Sequence, residues 1–295
     1  MKTDDGKWSP DFIGVGVERS ATSWLWTCLD EHPQICMSHP KEIHYFNRNY
    51  DQGEKWYRQH FAPDAHTRIF GEINPVYMDD PLACERIARD YPNAKILVIL
   101  RNPFERALSH LSVILRNEQG VVDNQDLGLA RETVALDDKY LRRSLYYRGL
   151  KPYLRAFPRE RIIILFYEDM KLDPQAFLHS LFFQLGVDAD FLPASLEKII
   201  NRTSNYRFPL IFWGLVKLRQ ILKTLPVTER LVERFIKKSN LWSWSSRIFE
   251  SDHAKKNGSK LEFEEVFGAE GRDIITADLE LLVKDLHLKV PAGWN

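Results

Sequence analysis

The sequence predicts an α/β fold, a central parallel sheet flanked by helices, with a helical, lid-like segment toward the C-terminus. Two observations predict it. Three short apolar runs rich in β-branched residues, "DFIGVGV" (11–17), "AKILVIL" (94–100) and "RIIILFY" (161–167), have the length and composition of strands. Each is followed by a longer stretch of helical period, the alternation that builds a parallel sheet with crossover helices. With 44% hydrophobic residues, the 295-residue chain can bury a full core, and it reads as a single domain, 1–295, with 208–260 as a helical insertion or lid.

The helices follow in order. "ATSWLWTCLDEH" (21–32) sets Trp24, Leu25, Cys28 and Leu29 on one face and stops at His32-Pro33. "PLACERIARDYP" (81–92) begins with Pro81 and ends before Pro92. "PFERALSHLSVILRN" (103–117) also opens with a proline suited to the first helical turn, and "DPQAFLHSLFFQLGV" (173–187) follows a strand-to-helix turn in which Glu168 and Asp169 are expected to cap the next helix. After about residue 200 the rhythm changes to a basic, aromatic stretch carrying Phe208, Phe212, Trp213, Trp242 and Trp244. Three readings fit it: a helical layer packed on the sheet, a lid over an acceptor pocket, or a surface over 208–249 that meets a membrane.

Composition excludes some partners. Lys+Arg and Asp+Glu balance at 41 each, so no global field draws the chain to nucleic acid, and any anion site must be local. Cys28, Cys36 and Cys84 have no metal-ligand spacing and are odd in number, which suits free thiols in a reducing, cytoplasmic compartment. Neither a signal peptide nor an uninterrupted apolar run of the roughly 20 residues needed for a membrane helix is expected.

The chemistry is expected at "GVGVERSATSWLW", which lies between the first strand and its helix. A glycine-containing turn there gathers backbone N–H groups at the positive end of a helix dipole, a place for an anion. A triphosphate-binding loop would carry Gly-Lys-Ser/Thr. Ala21 and Thr22 stand at the Gly and Lys positions, so the triphosphate's main counter-charge is missing. Arg19, Ser20, Thr22 and Ser23 instead suit a smaller anion, although the same residues also make an ordinary hydroxyl-capped helix start. A second anion site is suggested by "RNPFERALSH" (101–110), where Arg101 ends a strand and Ser109 lies eight residues on. Ligands in open α/β sheets bind at the carboxyl ends of strands. Two sites on one edge suit a nucleotide with two separate phosphate groups.

The loop together with the Arg101–Ser109 motif resembles the sulfotransferase family, whose P-loop-NTPase-like fold takes the donor 3′-phosphoadenosine 5′-phosphosulfate without metal. "KEIHYFN" (41–47), "GEINPVYM" (71–78), "SLYYRGLKPYLRAFP" (144–158), "ILFYEDM" (164–170) and the closing "VPAGWN" fall in that family's order. The pattern is similar to bacterial and glycosaminoglycan sulfotransferases, including heparan sulfate 3-O-sulfotransferases. The resemblance implies that Arg19, Ser20, Ala21, Thr22 and Ser23 hold the phosphosulfate, that Trp24 stacks on adenine or is a core indole, and that Arg101 with Ser109 holds the 3′-phosphate. Arg19 stands where the family has Lys. Ala21, in place of the usual Gly, implies a position with no need for positive φ.

Further roles follow from the same resemblance. Glu42 is the general base and His44 the alternative, with Asn47 at the place of the family's Asp. Glu72, Asn74 and Tyr77 align with an acceptor-facing segment in which Ile73 replaces a Lys. Tyr146 is a recurring family tyrosine, and Arg202 and Arg207 are candidates to close over the 3′-phosphate. The acceptor is expected to be a small molecule or carbohydrate. Two other readings remain at this stage: a P-loop nucleotide kinase, and a non-catalytic nucleotide-binding protein on the same fold.

Overall fold

Five parallel strands, β1 (Phe12–Gly16), β2 (Ile35–Met37), β3 (Ile69–Ile73), β4 (Lys95–Leu100) and β5 (Ile162–Phe166), form one sheet in the order β2-β3-β1-β4-β5. The structure is a computed structural model describing residues 8–119, 127–197 and 261–294. Its helices are α1 (Thr22–Asp30), α2 (Gly53–Arg58), α3 (Pro81–Asp90), α4 (Pro103–Gln119), α5 (Leu127–Leu136), α6 (Lys139–Arg142), α7 (Tyr146–Ala156), α8 (Tyr167–Leu172), α9 (Pro174–Leu185) and α10 (Phe263–Leu286). The expected insertion at 208–260, with Arg202 and Arg207, lies outside the described residues.

Alternation along the strands builds two cores. On β4, Ile96, Val98 and Leu100 join the face covered by α3, α7 and α10, whereas Leu97 and Ile99 join the face covered by α1 and α9. The predicted faces hold: Trp24, Leu25, Cys28 and Leu29 of α1 are all buried. Among the described residues no helix is long and apolar enough to cross a membrane.

Strands β1, β4 and β5 lie where the apolar runs placed them. β2 and β3 do not announce themselves in the sequence, because β2 has only three residues and β3 carries Gly71 and Glu72 inside a short apolar run. Gly71 is needed for packing: a Cβ there would sit 2.0 Å from the Phe12 ring on the neighbouring strand.

Helix starts follow the chemistry expected of them. Asp80 accepts from the N–H groups of Leu82 at 3.0 Å and Ala83 at 3.4 Å, with Pro81 in the first turn of α3. Asp173 likewise accepts from Ala176 at 2.9 Å at the start of α9. The expected cap by Glu168 and Asp169 is corrected. No side chain caps α8, and the Glu168 carboxylate instead accepts from the backbone N–H of Asn102 at 2.9 Å, tying the tip of β5 to the tip of β4.

Because the strands are parallel, their carboxyl ends share one edge. Residues 17–21, 38–44, Asn74, Arg101 and Tyr167 all leave the sheet there. Replacing Gly71 by alanine should destabilise the fold by about 1–3 kcal/mol, through overpacking against Phe12, measured as a lower urea midpoint with an unchanged slope.

Candidate active site

The loop after β1 is built on left-handed backbone. Arg19 has φ 72° and Ala21 φ 59°. The expectation that Ala21 needs no positive φ is therefore overturned; an alanine is held in the region that favours glycine, at a cost on the order of 1–2 kcal/mol. Strain of this kind persists where the surroundings dictate the conformation. Here the Val17 N–H donates to the Ile99 carbonyl at 3.1 Å and an Arg101 Nη donates to the Arg19 carbonyl at 3.2 Å.

This backbone leaves the start of α1 open. Its N-cap is Ala21, and no side chain caps it, so the hydroxyl-capped helix start is not what forms. Ser20 Oγ is fully buried without a hydrogen-bond partner, and Thr22 is 6% exposed. Open N–H groups, a helix dipole and an unsatisfied hydroxyl make an anion cradle. Trp24 takes the core reading: it is 5% exposed, lies 6.1 Å from the Phe177 ring, and donates its indole N–H to the carbonyls of Ser195 and Leu196. Ser23 accepts at its carbonyl from Thr27 Oγ1 within the helix.

The second predicted element comes to the same place. Arg101 faces the loop; besides holding the Arg19 carbonyl it pairs with Glu105 at 2.8 Å and lies 4.8 Å from the centre of the Tyr167 ring. Its Nε is buried without a partner. Ser109 Oγ accepts from Arg19 Nε at 3.2 Å, so Arg101 and Ser109 are joined through Arg19. The tip of β4 is itself fixed by Tyr146, whose buried hydroxyl donates to the Arg101 carbonyl at 2.6 Å. That contact supplies a role for a tyrosine the sequence marks without explaining.

Two other residues of "RNPFERALSH" serve packing. Arg106 is fully buried and donates to Ser144 Oγ at 2.7 Å, to the Tyr140 carbonyl and, at 3.4 Å, to His110 Nδ1. Burial lowers the Arg106 guanidinium to about 10. Burial, with the Arg106 charge added, lowers His110 to about 3, so His110 stays neutral.

Lys41, Glu42 and His44 leave the sheet after β2. Glu42 and His44 adopt φ 63° and 54°. Lys41 pairs with the Glu42 carboxylate, and its Nζ reaches Thr22 Oγ1 at 3.5 Å, which brings this segment to the loop. His44 is lowered from its usual value, first by burial and then by the Arg48 charge, with Glu42 and Glu18 opposing; it is neutral at pH 7. Asn49 closes the turn, its side chain donating to the Ile43 carbonyl at 2.8 Å and its N–H to the His44 carbonyl at 3.0 Å.

Glu72 does not face a ligand. It is fully buried, its two oxygens accepting from the hydroxyls of Tyr77 at 2.7 Å and Tyr57 at 2.9 Å. Tyr77 in turn accepts from the N–H of Phe46 at 3.2 Å. Glu72 and Tyr77 thus support the Glu42–His44 segment from below, in place of the acceptor-facing role expected of them. Asn74 is also fully buried, and its N–H donates to the Gly14 carbonyl at 2.8 Å.

Beside the loop runs a charged network that sequence reasoning missed. Arg143 pairs with Glu18 and with Asp79 at 3.2 Å, and Arg142 reaches the same Asp79 oxygen at 3.2 Å. With Val17, Pro75, Met78 and Gly149 these side chains line a cleft beside the anion cradle. No local pattern links residues 18, 79 and 143; only the fold joins them.

Comparison with known proteins gives a consistent result. Residues 9–207 match the family described as Sulfotransferase domain. The chain is 38% identical over 161 residues to the Membrane-associated sulfotransferase kil1 of Dictyostelium discoideum, covering 52% of this chain and 33% of that protein. It is 29% identical over 202 residues to the human Heparan sulfate glucosamine 3-O-sulfotransferase 3A1, covering 67% of this chain and 47% of that protein. The chain therefore spans less than half the length of either relative. A crystal structure of a sulfotransferase from Alicyclobacillus acidocaldarius superposes with a TM-score of 0.57 at 27% identity, covering 66% of this chain and 87% of that one.

The buried acid makes a prediction about pH. Desolvation raises the Glu72 carboxyl from 4.5 to about 7, against the two tyrosine hydrogen bonds that lower it. A carboxyl raised in the folded state contributes stability that is fully present below the unfolded value and is lost as pH rises through the folded one. Unfolding free energy from urea titrations should fall between about pH 4.5 and 7 by on the order of 3 kcal/mol from this group, and level off above. Glu72→Gln should flatten that window; a variant with the wild-type slope would remove Glu72 as its source.

Proposed function

Since the chain belongs to the sulfotransferase family, we propose that it transfers the sulfuryl group of 3′-phosphoadenosine 5′-phosphosulfate to a hydroxyl or amine of a sugar-like or small-molecule acceptor. One observation carries the reading: the linked contacts from Arg101 to the Arg19 carbonyl and from Arg19 to Ser109, which bring two anion-binding elements from separate strands to one edge. A donor with phosphate groups at both its 3′ and 5′ positions needs two such elements. Unsatisfied Ser20 Oγ and Arg101 Nε, both buried, are donors in want of an acceptor and fit that chemistry.

Each side chain then has a task. The N–H groups at the start of α1, with Ser20, Thr22 and Arg19, hold the 5′-phosphosulfate, while Arg101 and Ser109 take the 3′-phosphate. The donor supplies an activated sulfuryl group. Arg19 keeps its positive charge at any working pH and so stabilises the negative charge that grows on the leaving phosphate. Glu42 takes the proton from the attacking hydroxyl as its oxygen bonds to sulfur, and His44, neutral at pH 7, is the second candidate for that proton. In-line geometry is set by holding the two ends of the donor apart, a positioning effect shared with phosphoryl transfer by analogy.

Acceptor identity is the finer part of the proposal. A sugar hydroxyl is supported by "KEIHYFN" and by the relatives named for heparan sulfate. A cytoplasmic setting is supported by Cys28, Cys36 and Cys84, all buried free thiols.

Calorimetry tests the donor. Adenosine 3′,5′-bisphosphate should bind far more tightly than ATP, and Arg101→Ala should weaken it by roughly 10- to 100-fold, the loss of a charge-assisted hydrogen bond. Preference for ATP would overturn the reading. Labelled donor offered with sugars, phenols, steroids and amines identifies the acceptor class. With that acceptor, Glu42→Gln should lower turnover by about 10²- to 10⁴-fold while bisphosphate affinity persists.

A further inference from the structure

We propose that Lys41 is a catalytic residue of the transfer: its ammonium binds the sulfuryl oxygens of the donor at the mouth of the loop, supplying from a different strand the lysine that the loop lacks. This rests on the sulfotransferase reading above and adds to it a residue and a subsite.

Lys41 follows β2 by four residues and lies at the carboxyl edge of the sheet. Its Nζ is 3.5 Å from Thr22 Oγ1, the hydroxyl on the first residue of α1, next to the uncapped Ala21. Only 15% of the Lys41 side chain is exposed, so this is a cation largely withheld from water and directed at an anion cradle. Its counter-charge is Glu42, its neighbour in the chain and the candidate base. A surface lysine paired in this way would contribute little. Partly desolvated and next to the reacting atoms, the same charge acts more strongly.

The donor count favours a ligand. An ammonium has three N–H groups; Thr22 and Glu42 account for two, leaving one for a further oxygen. Arg19 is committed differently, its Nε held by Ser109 and its carbonyl by Arg101. A planar guanidinium in that position cannot follow charge as it moves from sulfuryl oxygens to the bridging oxygen; a rotatable ammonium can. In the reaction, the acceptor oxygen forms a bond to sulfur and the sulfur–oxygen bond to the 5′-phosphate breaks, its electron pair staying on the phosphate. The acceptor proton goes to the Glu42 carboxylate. Lys41 holds the sulfuryl oxygens throughout, and its pairing with the Glu42 carboxylate keeps the two side chains together at the mouth of the loop.

The pairing could instead be no more than a clamp on residues 38–44, and the two roles separate on the donor rather than on turnover. The product bisphosphate lacks only the sulfuryl group, so affinities for the donor and for the bisphosphate are measured by calorimetry without acceptor, in wild type, Lys41→Met and Lys41→Arg. The expected result is donor affinity lowered roughly 10- to 100-fold in Lys41→Met, bisphosphate affinity unchanged, and partial recovery of donor affinity in Lys41→Arg. Equal losses for both ligands, or no loss for either, would overturn the assignment. Lys41→Gln is measured alongside, so that poor folding of the methionine variant does not remove the comparison. A wild type that binds neither ligand would sink the sulfotransferase reading itself, a result distinct from a wild type that binds both and a variant that behaves like it.

Discussion

The contact from the Arg101 guanidinium to the Arg19 carbonyl is the interaction on which the site depends. It joins the tip of β4 to a loop whose backbone is left-handed at two non-glycine residues. Without an external tether, such a loop would relax toward ordinary φ values and turn its N–H groups away from a common centre. The tether is itself anchored, because Tyr146 holds the Arg101 carbonyl from the core side and Glu168 holds the next N–H from the tip of β5. Conformational strain in the loop is thus offset by a hydrogen bond from Arg101, which is itself anchored by Tyr146 of α7 and followed by an N–H held by Glu168 of α8.

A similar logic runs through the other half of the site. The turn carrying Glu42 and His44 also has two residues with positive φ, and beneath it lies the chain from the Glu72 carboxylate through the Tyr77 hydroxyl to the Phe46 N–H. Tyr57 completes the satisfaction of Glu72, and Tyr153 holds the Tyr77 carbonyl at 3.0 Å. Burying a carboxyl is costly unless its partners are in place, so this network tolerates few geometries. The stringency of the core is passed to the backbone that presents Glu42 and His44.

What was legible in the sequence divides along physical lines. β1, β4 and β5 were readable because central parallel strands are apolar on both faces, and α1, α3, α4 and α9 because proline, aspartate and periodicity mark them locally. β3 was not, since a glycine that admits the Phe12 ring and a glutamate paired with the hydroxyls of Tyr57 and Tyr77 both break the apolar run for reasons that exist only after folding. Arg101 and Ser109 were legible as a spaced pair on one segment. Ala21 misled: its side chain said little about φ, because the conformation is imposed by Arg101 from 80 positions on, and local propensity yields to such a tether. Arg143, which reaches Glu18 and Asp79 across three elements, left no local trace.

The distribution of positive charge follows from this architecture. A triphosphate loop concentrates its cation within one turn, because the anion it binds is compact. Here Arg19 comes from the loop, Lys41 from beyond β2 and Arg101 from β4, three separate strand ends held at one edge only because the sheet is parallel. Charge spread in this way suits an elongated ligand with anionic groups at both ends, and it makes recognition a property of the assembled edge. The loop alone then carries too little charge to hold a compact triphosphate, in keeping with the threonine, Thr22, that stands where a triphosphate loop has its lysine.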